Sequence, residues 1–164
     1  MHPARSRPHC AESPTPAAGG TNAEESPEAG RRPHEQAPRP VVWMTEPEAH
    51  DYPAAAAYLS LLAPAADVTR MVDALEAAAT VTRKAKDILR ASGLPLLDVT
   101  NPHVAGDLRK IAAGQRLSPV LIVRGDLATG RSSVVADGYH RVCASYHTDE
   151  NTDIPIRLAD LPAT

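Results

Sequence analysis

The richest run of chemistry-bearing residues in this chain is Val134-Val135-Ala136-Asp137-Gly138-Tyr139-His140-Arg141-Val142-Cys143-Ala144. A β-branched stretch ends at Asp137 and Gly138 turns the chain. A helix is then expected, with His140 and Arg141 in its first turn. Free N–H groups at a helix start carry partial positive charge. Gly138 lets backbone come close to a ligand. Arg141 offers a planar fork suited to phosphate oxygens. His140 adds a donor whose charge changes near neutral pH. Together these parts make an anion site, by the physics of other phosphate loops. Asp137 carries two readings: a metal-binding or general-base carboxylate, or an acceptor that caps the helix. Plainer readings stand beside the others too. Arg141 forms a salt bridge to Asp137, and His140 is an exposed first-turn residue.

Three further residues join the candidate set. Asn101 is read first as a cap ahead of Pro102, and second as a border of the site. His103 follows in the first turn, reaching the pocket or lying on the surface. Arg124 leaves the end of an expected strand, where open sheets often hold ligands. Arg83, Lys84, Lys86 and Arg90 are read as a solvated basic helical face. The two cysteines, Cys10 and Cys143, form neither a disulfide framework nor a zinc pattern. Cys143 reads as an inert core thiol. No set of metal ligands is read from spacing, and His2, His9 and His34 are taken as scattered, solvated side chains.

Positioning these residues requires an ordered domain, expected over 41–164. Residues 1–40 hold eight of the sixteen prolines and almost no large apolar residue. Such a segment cannot bury enough surface to offset its ordering entropy and is expected to be disordered. Beyond it, Asp51 is a helix cap with Pro53 in the first turn, ahead of an alanine-rich run. Pro64 starts a second helix, with Val68, Met71, Val72 and Leu75 on one face. Thr80 or Thr82 caps a third, which Ser92-Gly93 stops. Asn101-Pro102 opens a fourth helix that Gly114 ends. Pro119 to Arg124 is a buried strand, and Ser132 to Ala136 a second, paired with it as a hairpin. Tyr139 to His147 is a helix. Ile154 to Leu158 closes as a strand whose Pro155 calls for an edge position or a solvent-facing N–H. The expected class is α+β: three helices on a small mixed sheet with two more helices.

The net charge of −3 gives no case for non-specific nucleic-acid binding. With one Trp, four Tyr and no Phe, the core must be aliphatic and modest. No run of about 18 apolar residues exists, and the N-terminus has no apolar segment after its arginines. A reduced, bacterial cytoplasm is the expected setting.

From Asn101 to Leu158 the order of motifs resembles the ParB/sulfiredoxin superfamily. Asn101-Pro102 leads into a helix with Asp107-Leu108-Arg109-Lys110-Ile111. Gly114 and Leu117-Ser118-Pro119-Val120 follow, then Val134-Val135, Gly138-Tyr139-His140-Arg141-Val142-Cys143-Ala144 and Ile154-Pro155-Ile156. The resemblance implies that Gly138, His140 and Arg141 contact nucleotide phosphates. It is closest to the sulfiredoxin-like form, whose catalytic cysteine is replaced here by Tyr139, so sulfur chemistry is not expected. The ParB helix-turn-helix module has no counterpart after this segment, so DNA binding by this chain alone is not expected. The expected ligand is a nucleotide, ATP or CTP, or another phosphorylated molecule, with Mg²⁺ as companion. Two rival expectations stand beside it. One is a phosphotransfer or nucleotide-hydrolysing enzyme with Asp137 or His140 as base. The other is a regulatory factor with a vestigial phosphate site and a protein partner.

Overall fold

Strand alternation decides the architecture. Side chains at successive strand positions point to opposite faces, and here both faces of one sheet are apolar. In the computed structural model, residues 39–160 are described and belong to one compact unit. The expected disordered tail, 1–40, lies almost wholly outside the described residues.

The elements follow in this order. β1 is Val42–Trp43, α1 Asp51–Leu59, α2 Ala65–Ala77, β2 Thr80–Lys84 and α3 Ala85–Ser92. Then come α4 Pro102–Ala112, β3 Arg116–Leu117, β4 Val120–Val123, β5 Val134–Asp137, α5 Tyr139–Thr148 and β6 Asp153–Ala159. The main sheet has the order β2-β6-β4-β5, and β1 and β3 make a separate parallel pair. β6 runs parallel to β4 and antiparallel to β2, while β4 and β5 are antiparallel. The fold is α+β with small mixed sheets.

One face of the sheet, with Val120, Ile122, Val135, Ile154 and Ile156, packs on α3, α4 and α5 through Ile88, Leu89, Val104, Ile111 and Val142. The other face, with Leu121, Val123, Ala136 and Ala159, packs on α1 and α2 through Ala55, Leu59, Val68, Met71 and Leu75. Each buried Leu or Ile contributes about 1.5–3 kcal/mol, so three thin layers share a purely aliphatic core.

Four expectations are corrected. Thr80 and Thr82 cap no helix; they belong to β2, which pairs with β6 along its whole length. The basic set is therefore split: Arg83 and Lys84 are on a strand, and Lys86 and Arg90 on α3. β6 is an inner strand rather than an edge. Its ladder to β4 begins at Ile156, so Pro155 sits just beyond that ladder's end and faces only Thr82 of β2. Asp51 is likewise not the cap of α1. It is the first helical residue after His50, and it is buried. Among the described residues no helix is long and apolar enough to cross a membrane.

Candidate functional site

β5 ends at Asp137 opposite Leu121 of β4. The chain then turns through Gly138 at φ 95°. The left-handed region is open to glycine and strained for other residues. Space imposes the same choice, because a Cβ here would sit 2.9 Å from Val120 Cγ2 and 3.1 Å from Arg141 Nε. The tight turn launches α5 with no side chain capping its first turn. α4 differs. Asn101 Oδ1 accepts from the N–H groups of His103 at 3.0 Å and Val104 at 3.3 Å. The α4 start is closed by its own cap; the α5 start, like those of α1, α2 and α3, has no side-chain cap.

A cavity of about 260 Å³ opens at this end of the strands. Asp137, Gly138, His140 and Arg141 line it, as do Glu48, His50 and Asp51 from the start of α1. Asp107 and Lys110 of α4, Arg116 of β3 and Ser118 complete the wall. Asp51 and Asp137 flank one cation, Arg141, and the exposed Glu48 lies beside His50. Among the other lining residues, Lys110 is paired with the buried Asp107 at 2.9 Å, and Arg116 forms no ion pair among the described residues.

Arg141 is committed to the protein. Its Nη1 donates to the Ser118 carbonyl at 2.9 Å, the Pro119 carbonyl at 3.4 Å and Asp51 Oδ2 at 3.4 Å. Its Nη2 donates to Asp137 and to Asp51 Oδ1. The plainer reading of this residue, a salt bridge to Asp137, is present in the structure. Asp51 also accepts from the Ser118 hydroxyl and, at 3.1 Å, from the Glu48 N–H.

Two carboxylates thus compete for one guanidinium, and their acidities separate. Burial is the largest influence on Asp137 and pushes its carboxyl up; Arg141 opposes, Asp51's charge adds, and the net direction is upward. Burial is also the largest influence on Asp51, but the Ser118 hydroxyl, Arg141 and the Glu48 N–H outweigh it. They hold that carboxyl below its ordinary value. His140 is pushed below its ordinary value, first by burial and then by neighbouring His103 and Arg141, with Asp107 opposing. The two imidazole centroids are 4.7 Å apart.

Of the sequence candidates, Asp137, Gly138, His140 and Arg141 meet in the cavity. Neither Asn101 nor His103 is in its lining; His103 is in ring contact with His140, which is. Arg124 does not join them. β4 and β5 are antiparallel, so Arg124 lies at the far end of the strands, paired with Asp160 at 2.5 Å. Tyr139 is not in the lining either. Its hydroxyl donates to the Pro95 carbonyl, and His147 Nε2 meets the Leu97 carbonyl at 2.7 Å, so both tie the segment between α3 and α4 onto α5. Cys143 is fully buried, and burial pushes its thiol up, as expected of an inert core cysteine.

Sequence reading passed over Glu48, His50 and Arg116, quoted Lys110 and Ser118 only as parts of the family motifs, and saw Asp51 only as a cap. Glu48, His50 and Asp51 each offer a ligand atom, all within 4.8 Å of one another. A Glu-x-His-Asp spacing ahead of a helix was the available signal. Oxygen and imidazole donors at that separation suit a divalent cation. Comparison with known protein families, curated proteins and solved structures gives no significant match.

Proposed function

We propose that this chain is a ParB/sulfiredoxin-like domain that binds a nucleotide or other phosphorylated ligand together with a divalent cation. One observation carries the reading: the first turn of α5, without a side-chain cap, opens onto a cavity whose lining includes Arg116, with Lys110 shared with Asp107. Phosphate oxygens would meet the N–H groups of that turn, His140, Lys110 and Arg116. The carboxylates of the lining repel phosphate but suit a cation, with Glu48, His50 and Asp51 as its holders. Arg141 takes a different part from the one the resemblance implies. It sets the turn and balances Asp51 and Asp137 rather than gripping phosphate.

A second reading, phosphotransfer or hydrolysis, is favoured by the placement of Asp137. Its carboxylate borders the cavity beside the α5 start, within reach of a nucleophile bound near the phosphates. It requires turnover that Asp137→Asn abolishes while leaving nucleotide affinity in place.

The test is a thermal-shift and calorimetric titration of the full chain with ATP, CTP, GTP and ADP, with and without Mg²⁺. A ligand at 100 times its dissociation constant stabilises by about 2.7 kcal/mol. We expect one nucleotide to shift the transition in a Mg²⁺-dependent way, and Arg116→Ala with Lys110→Ala to remove most of the shift. No shift with any nucleotide, from folded protein, would discard this reading in favour of a regulatory factor with a vestigial site.

A further inference from the structure

The opposite ends of the strands carry a second cavity, of about 220 Å³, between α3 and the sheet face beneath it. Its origin is geometric. α3 has eight residues and stops at Gly93, with φ 66°. Such a helix is roughly 12 Å long, about half the length of the seven-residue β6 beneath it. The floor is apolar and largely buried: Ile122, Val135, Ile156 and Leu158, with Ile88 from α3 as one wall. Ile122 stands opposite Val135 on one side and Leu158 on the other, so the strip is continuous across three strands.

Two arginines reach this cavity from opposite ends. Arg83 is in register with Ile154 of β6, and the Arg124 N–H bonds the Ala159 carbonyl. Arg124 is tied to Asp160. Arg83 donates to the Thr82 carbonyl at 2.7 Å, and among the described residues it forms no ion pair. The nearest acidic residue of the lining, Asp87, is held by Arg90 at 2.8 Å. An uncompensated guanidinium therefore stands at one end of an apolar strip. That arrangement is complementary to a molecule with one anionic end and an apolar body.

We propose that this cavity is a binding site for a small monocarboxylic acid with an apolar chain. Arg83 takes the carboxylate, and the chain lies along Ile88, Ile122, Ile156 and Leu158 towards Arg124. The size follows from the volume: at about 30 Å³ for each water-sized group, roughly seven or eight groups fit. A six-carbon acid meets this limit. The site is separate from the α5 cavity and does not depend on what that cavity binds.

The experiment is a methyl-resolved NMR titration of the full chain with hexanoate, with 1-hexanol as the uncharged control. Hexanoate should give saturable shifts at the methyls of Ile88, Ile122, Ile156 and Leu158 and leave those of Leu117, in the lining of the α5 cavity, unmoved. A charge-assisted contact implies at least about tenfold tighter binding of hexanoate than of hexanol, and a loss of that preference in Arg83→Gln. Arg124→Gln, which removes a residue already paired, should change the affinity less. Absence of saturable shifts, equal affinity for acid and alcohol, or unchanged hexanoate binding by folded Arg83→Gln would each overturn the proposal.

Discussion

Gly138 is where backbone and side-chain geometry meet most tightly. Any other residue there adopts a disfavoured φ and drives a Cβ towards Val120 and Arg141. Gly138→Ala should therefore cost at least about 2 kcal/mol, from backbone strain and forced repacking together, measured by urea unfolding. His140 gives a second outcome at this scale. Its folded pKa is lowered, so the unfolded chain binds more protons around the ordinary imidazole value. Stability should then rise as pH increases from the folded value to about 6.5. NMR titration should place the His140 midpoint below that of an exposed histidine. His103→Gln should move it upward by removing a neighbouring charge, and an unmoved midpoint would break this account. The sequence made Gly138 legible because no other residue takes such a turn cheaply. It did not make Arg141's partners legible, because Asp51 lies 90 positions away in the chain and only the fold brings the two together.

Among the elements, the helices and the β4–β5 hairpin could be read from local signals. Proline and glycine punctuate them and apolar spacing runs through them. β2 could not be read in the same way. Its sequence, Thr-Val-Thr-Arg-Lys, offers β-branched residues but also looks like a cap followed by a basic helix turn. Pairing with β6, distant in sequence, decided the matter. The start of α4 shows the opposite case, where a local device is sufficient. Asn101→Ala should cost about 1 kcal/mol through the lost cap. It should leave ligand binding at the α5 cavity unchanged, since the Asn101 side chain is spent on His103 and Val104. A loss of affinity with stability intact would instead make Asn101 part of the site.

Across the whole molecule, the network of Asp51, Ser118, Arg141 and Asp137 joins the three layers. It links α1 on one side of the sheet, the approach to β4 within it and α5 on the other side. Its two carboxylates are not equivalent. Asp51→Ala removes acceptors from Arg141, from the Ser118 hydroxyl and from the Glu48 N–H. Breaking a buried pair of this kind costs about 3–5 kcal/mol. Asp137→Asn keeps an acceptor near Arg141 and removes a like charge beside Asp51, so less than about 1 kcal/mol is expected. Equal losses in a denaturant series would show that the two acids share the load.

The place of β6 has a consequence for how the chain is made. β2, α3 and the β4–β5 hairpin all leave the ribosome before the strand that must lie between β2 and β4. Until residues 153–159 emerge, the two parts of the main sheet have no common partner. During synthesis α1 can cover one face of the β4–β5 hairpin and α5 can meet α4, but the four-stranded sheet closes only with β6. In that interval the nascent chain is a natural client for chaperones.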